Sequence, residues 1–232
     1  NAALMFVLSV RALTASAATS EALAQTPPMG WNSFDSYGVY LHEQAALANL
    51  QAMAEKLLPY GYEYFVIDNG WFGEYTLQEG TIFPAEKHAH DIRIDEYGYF
   101  LPSEVYFPNG LKPIAERCHE LGLKFGVHLM RGIPRKAYEM DLPIKGTRYT
   151  ARDIANTSPE ENCKWCHYCY AVDMSKPGAQ QWYDGLIEHI ASMGVDMIKY
   201  DDIVAHPDEV EAVAKAIART GRPILLSLSP GG

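Results

Sequence analysis

A chain of 232 residues that is 48% hydrophobic and 21% charged falls in the globular range, with length for one substantial core and one domain as the default. Its 19 basic and 29 acidic residues leave a net charge of -10, which argues against a nucleic-acid polyanion or an anionic membrane as partner and suits a neutral or cationic ligand. Aromatic residues make up 12%, with 15 Tyr and 4 Trp; flat rings with a polar edge suit sugar faces, yet they serve equally well as core packing.

Residues 1 to 25 differ in character from the rest of the chain. Ala3 to Val10 is a short apolar run and Ala15-Ser16-Ala17 supplies a small-x-small site, a pattern that resembles a secretory signal peptide and implies a secreted or periplasmic protein. The run is far shorter than the roughly 20 apolar residues that span a bilayer, so no membrane span is expected. Fold reasoning begins at residue 26.

From there apolar strand-like runs alternate with helix-like stretches. Pro28 to Ser33 reads as a first strand and its rim, and His42 to Leu58 as a helix whose apolar face carries Leu47, Leu50, Met53, Ala54 and Leu57. Tyr64 to Asp68 is a second strand closing on an acid. After a long insertion, Gly70 to Asn109, come a helix over Lys112 to Leu121 and a third strand, Lys124 to Met130, ending near His128 and Arg131. A second insertion, Arg131 to Asp173, precedes a helix over Ala179 to Ser192. Val195 to Tyr200 is the fourth strand, Pro207 to Arg219 a helix, and Pro223 to Ser227 the fifth strand. Insertions this long inside a domain usually serve function.

The second insertion holds Cys163, Cys166, His167 and Cys169. A structural zinc site normally pairs two such clusters across a longer loop, and no second cluster is present downstream, so no metal is expected. In an exported protein a local disulfide is the better expectation, although two-residue spacing is tight for unstrained bridge geometry.

Alternating strands and helices signal parallel βα units. A closed (β/α)8 TIM barrel typically needs about 250 residues, and this chain carries about five βα units, the first five of such a barrel. An open doubly wound sheet is the rival, but no Gly-x-Gly-x-x-Gly or P-loop follows any strand to cradle a phosphate.

Chemistry gathers at strand ends. Asp68 and the pair Asp201-Asp202 face one mouth if their strands are parallel neighbours, and converging carboxylates bind a hard cation, divide into general acid and base, or supply a nucleophile for glycosyl transfer. Lys199 is expected across the pleat from the neighbouring acid, reaching the mouth by its long stem and by strand tilt. Its charge would keep that acid ionised, as a nucleophile requires.

Thr26 to Phe34, Ile67-Asp68-Asn69-Gly70-Trp71, Gly122 to Gly126 and Lys199-Tyr200-Asp201 occur in an order that resembles the α-galactosidase/α-N-acetylgalactosaminidase family, glycoside hydrolase family 27. His128 to Arg135 and Ser227 to Gly231 are most similar to its bacterial members. The resemblance implies a retaining exo-glycosidase on a (β/α)8 barrel, working on carbohydrate without metal or organic cofactor. Residues 26 to 232 would form the N-terminal part of that catalytic domain. Asp201 matches the nucleophile, Lys199 a lysine that contacts sugar hydroxyls, Asp68 the acid on the galactose O4/O6 side, and Trp31 the aromatic wall beside the ring. Asn69, Trp71, His128 and Ser229 fall at further substrate-binding positions. Asp202 matches no assigned role and is placed with the substrate residues as the neighbour of Asp201, where it orients that acid or caps the loop. The family's acid/base carboxylate lies on strand six, past residue 232, so the chain by itself is expected to be catalytically incomplete.

Departures from the pattern concern substrate. Asn69 stands where many relatives carry a second aspartate, which removes a charge from one hydroxyl contact. His128 replaces a frequent tyrosine, and a core or loop-anchoring role is open to it. Arg131 is a bidentate donor for a substrate carboxylate or a salt-bridge partner of Asp173 or an insertion acid. Ser229 resembles the version that admits an N-acetyl group, while Pro230 and Gly231 break the alignment. α-Galactosidase is therefore expected first, with α-N-acetylgalactosaminidase and β-L-arabinopyranosidase as alternatives on the same scaffold. A carbohydrate-binding barrel without turnover is the alternative from another class.

Overall fold

Apolar runs that end in polar residues become, in the computed structural model, five parallel strands. The structure describes residues 23–81, 84–86 and 88–229. The N-terminal segment read as a signal peptide lies almost wholly outside them.

The strands are β1 (Gly30–Asn32), β2 (Tyr64–Ile67), β3 (Lys124–Met130), β7 (Met197–Asp201) and β8 (Leu225–Leu228), paired in the order β1-β2-β3-β7-β8. Each strand adds beside its predecessor in the chain and on the same side. A doubly wound sheet reverses its strand order at a switch point; this sheet does not, and its progression is that of a barrel wall.

Helices α2 (Glu43–Lys56), α3 (Lys112–Glu120), α6 (Ala179–Ser192) and α7 (Pro207–Thr220) form the crossovers and pack outside the sheet. In α2 the buried residues are Ala46, Leu50 and Met53, whereas Leu47 is 37% exposed. The expected face is therefore rotated by one position at its start. Spacings of four and three residues through Ala46 make one stripe, and a small alanine lets the helix approach the sheet. Helix α7 starts with Pro207 at its first position and ends at Gly221, whose φ of 67° is left-handed and suits a residue without Cβ.

Both insertions lie on the rim. Gly70 to Asn109 has no helix among its described residues and is tied by bridges such as Glu74 with His90 and Ile94 with Phe100. The second insertion folds into a small antiparallel sheet of β4 (Ile133–Pro134), β5 (Ala155–Asn156) and β6 (Cys169–Val172), in the order β4-β6-β5. It also carries the short helices α4 (Arg135–Glu139) and α5 (Ala151–Ile154), and a further short helix, α1 (Phe34–Tyr37), follows β1. None of these short pieces is visible as a periodic pattern in the sequence. The four cysteines are buried free thiols, with no disulfide in the cluster. Burial pushes the Cys166 thiol up to about 12, so it packs as a small apolar group.

Candidate active site

Period-two alternation decides what faces the strand ends. Register pairs His128 with Lys199 and Met130 with Asp201 along β3 and β7. Lys199 and Asp201 are two residues apart and so share one face of the pleat, which corrects the expectation that the lysine lies across it. Ile198 and Tyr200, on the alternate face, are buried among the outer helices.

Lys199 Nζ lies 2.9 Å from Asp68 Oδ2 and 3.9 Å from Asp201 Oδ2, so one ammonium bridges the ends of β2 and β7. Asp68 is the more encumbered acid. Its Oδ2 also accepts from Asn32 Nδ2 at 2.6 Å and its Oδ1 from the Asn69 amide at 2.8 Å, while its own N–H donates to Ser33 Oγ. Burial raises its pKa, but attraction to His128 and the bond from Lys199 outweigh it, and the carboxyl sits below its ordinary value.

Asp201 keeps more of its oxygen surface available. The Asp202 N–H donates to Oδ1 at 3.0 Å, and His128 Nε2 lies 3.2 Å from Oδ2. Burial again opposes ionisation; hydrogen bonding and attraction from His128, with help from Ser229 and Lys199, overcome it and bring the Asp201 carboxyl down to about 2. This is an anion at neutral pH, held by neighbours that leave it facing open space.

That space is a cleft of about 1060 Å³ in which Asp68, Asn69, His128, Lys199, Asp201 and Ser229 meet. The volume is at the upper end of the range for small-molecule sites. Phe34 also faces it, with the Lys199 ammonium 5.8 Å from its ring centre, as do Trp165 and His88 from the two insertions.

Three expected residues do not line it. Trp31 stacks on Phe65 at 5.0 Å on the helix side of the wall, because its register partner Phe65 points outward. Phe34, three residues on, is the aromatic that reaches the cleft. Trp71 is 1% exposed, and its indole N–H donates to the His128 carbonyl at 2.9 Å, fixing β3 from behind. Asp202 turns away, with a φ of 57° that few side chains adopt. Arg131 holds it there, through Nε on the Asp202 carbonyl at 2.8 Å and a second nitrogen on Oδ2 at 3.0 Å. Arg131 meets neither Asp173 nor the cleft: its remaining partners are Glu209 Oε1 at 2.9 Å and the Glu161 carbonyl, while Tyr183 donates its hydroxyl to Glu209. This buried network sets the backbone whose N–H orients Asp201.

Asn32, Phe34, Trp165 and His88 escape sequence reasoning. Phe34 closes the Thr26 to Phe34 motif, and its offset from the end of β1 is the one signal that could have found it; the insertion residues offer none. Among the described residues no group of three His, Cys, Asp or Glu is placed to hold a metal ion.

A parallel wall that carries the Asp68 and Asp201 carboxylates at the C-terminal ends of β2 and β7, opening on one cleft, defines a TIM-barrel-type domain with its candidate site at the strand ends. The chain belongs to the glycosyl hydrolases family 31 TIM-barrel domain family, whose pattern matches residues 30–218. Among solved structures, a family 27 β-L-arabinopyranosidase from Geobacillus stearothermophilus is 44% identical with a TM-score of 0.82, over 91% of this chain and 50% of that one. A Bacillus halodurans protein provisionally named an α-N-acetylgalactosaminidase is 42% identical, with a TM-score of 0.79 over 89% of this chain and 48% of that one. α-Galactosidase A of Cellvibrio japonicus is 29% identical over 227 residues, 94% of this chain and 41% of the relative. The family 27 resemblance of the motifs is thus matched by the arabinopyranosidase, which is from that family. The chain spans about half the length of these solved structures, and less of the curated relative.

Proposed function

We propose that the full-length protein is a retaining exo-glycosidase that hydrolyses terminal α-D-galactosyl residues, with Asp201 as nucleophile. The observation that carries this reading is the Asp201 carboxylate, ionised at about 2 and facing the same cleft as Lys199, Asp68 and Asn69. In the reaction a lone pair of the Asp201 carboxylate attacks the anomeric carbon as the bond to the leaving oxygen breaks, and a second acid, outside the residues described, gives that oxygen a proton. Water, giving a proton to that second group, now a carboxylate, then attacks the anomeric carbon, and the bond to Asp201 breaks and frees it. Lys199 and Asp68 hold hydroxyls of the sugar, and the bond from Lys199 helps keep Asp68 a carboxylate without spending Asp201. His128 orients the Asp201 oxygen.

Export belongs to the same proposal, resting on the N-terminal segment, and cell fractionation tests it. A second reading, β-L-arabinopyranosidase activity, is supported by the 44% identical family 27 relative of that name. The two substrates differ at a single exocyclic carbon.

The test is turnover of aryl α-galactosides, α-N-acetylgalactosaminides and β-L-arabinopyranosides by the full-length protein. Asp201→Asn should lower kcat by at least about a thousandfold with the sugar still bound, since the nucleophile is lost and the pocket is not. Near-normal turnover by that variant rules the assignment out.

A further inference from the structure

Among the described residues, Asp91, Asp141 and Asp202 take a positive φ without being glycine. The first two are exposed in the insertions, whereas Asp202 directly follows Asp201 and is partly buried. A left-handed φ of 57° is unfavourable for a residue with a Cβ, and such strain persists where neighbours over-determine it. Here the neighbour is Arg131, buried just past the end of β3. Its Nε donates to the Asp202 carbonyl at 2.8 Å and its Nη2 to Asp202 Oδ2 at 3.0 Å, while its backbone N–H donates to the Asp201 carbonyl at 3.1 Å. That carbonyl and the Asp202 N–H are opposite ends of one planar peptide unit. One residue thus holds the plane at its oxygen and also holds the residue that follows it, which leaves the N–H directed onto Asp201 Oδ1 at 3.0 Å. Relaxation of Asp202 to a negative φ, with the chain fixed on both sides, turns this plane about its flanking bonds and takes the N–H off the carboxylate. The guanidinium is itself anchored away from the cleft, by Glu209 Oε1 on α7 at 2.9 Å and by the Glu161 carbonyl of the second insertion at 2.6 Å.

We propose that Arg131 is a positioning residue for the nucleophile: by holding Asp202 left-handed it fixes the Asp201–Asp202 peptide and, through that N–H, the plane in which the Asp201 carboxylate meets the anomeric carbon. Arg131 does not line the cleft, so its effect on the reaction passes through Asp202 and not through the sugar. A carboxylate turned out of line loses rate, because attack depends on the alignment of its lone pair, while a sugar held by Lys199 and Asp68 binds as before. The second insertion gains a part in the chemistry by the same route, since its Glu161 carbonyl is one of the two anchors of the guanidinium. The inference rests on the glycosidase reading and adds to it a residue that acts on the nucleophile from behind.

The test is a cycle of four full-length proteins, wild type, Arg131→Lys, Asp202→Gly and the double variant, on whichever of the three aryl glycosides the wild type hydrolyses fastest. Lysine keeps a cation for Glu209 but lacks the planar fork that grips Asp202 at two atoms, and glycine takes a left-handed φ without help. Arg131→Lys should lower kcat about tenfold and change KM less than about twofold. Where residue 202 is glycine, the same substitution should cost less than about threefold, because the strain it has to hold is gone. An unchanged kcat, a loss carried by KM, or an equal loss in both backgrounds overturns the proposal and leaves Arg131 a support of the fold alone. If Arg131→Lys does not fold, Asp202→Ala is compared with Asp202→Gly. Both lack the carboxylate and alanine alone resists the left-handed φ, so alanine should have a kcat about tenfold lower at a similar KM, and equal kcat values overturn the proposal. Should no glycoside turn over even in wild type, the glycosidase reading fails separately. Crystal structures of wild type and Asp202→Ala then decide the inference: a turned Asp201–Asp202 peptide with Asp201 Oδ1 off the N–H upholds it, and an unmoved carboxylate overturns it.

Discussion

Asp201 shows how single neighbours set a residue's chemistry. In the fold its carboxyl titrates at about 2 against an ordinary 3.8, so the native state releases this proton more readily than the unfolded chain does. Its stabilising contribution is therefore complete above about 3.8 and is lost as pH falls through about 2. Wild type should lose on the order of 2 kcal/mol more stability than Asp201→Asn between about pH 5 and pH 2. Denaturant unfolding across that interval measures the difference, and parallel curves would refute it. Asp68, Lys199 and Asp201 were legible as residues because each ends or nearly ends an apolar run. Trp31 and Trp71 were misplaced: a tryptophan beside a strand end has two faces of the pleat open to it, and only register with Phe65 and the carbonyl of His128 settles which it takes.

At the scale of elements, the ends of β3 and β7 are joined by Arg131. Its backbone N–H donates to the Asp201 carbonyl at 3.1 Å, and its side chain holds both Asp202 and Glu209. Glu209 is buried, which raises its pKa, and the guanidinium is the cation that meets it there. Arg131→Met should cost about 3–5 kcal/mol, because it leaves a carboxylate buried without its partner. Adding Glu209→Gln should recover part of the loss, a non-additivity that thermal unfolding of the four proteins in the cycle reads directly. Additive losses would show that the pair is not coupled. The long elements were readable from periodicity, and β3 and α6 keep the boundaries expected for them. The sheet β4-β6-β5 was not. Strands of two to four residues have too few alternations to signal, and their pairing depends on Gly132, where an added Cβ would sit 2.0 Å from the Tyr170 carbonyl.

Taken whole, the molecule is a barrel wall whose outermost described strands, β1 and β8, each have a single neighbour in the main sheet. Met29 and Leu228, at these edges, are 43% exposed each, and unpaired strand edges with apolar side chains promote association. Residues 1–232 expressed alone should therefore self-associate at micromolar concentration, whereas the full-length protein should not. Light scattering on both compares them, and a monomeric, soluble fragment would contradict the expectation.

Local order along the chain determined the succession of strands and helices and the placing of Asp68 and Asp201 at strand ends, since burial on both faces and period-two alternation are written into neighbouring residues. Tertiary structure alone decided which side chains share the cleft. Phe34 replaces Trp31 there, Trp165 and His88 arrive from two insertions, and Asp202 is pulled back onto Arg131. These choices rest on contacts between residues far apart in sequence, among loops with no period of their own, and such contacts exist only once the sheet has brought the strand ends together.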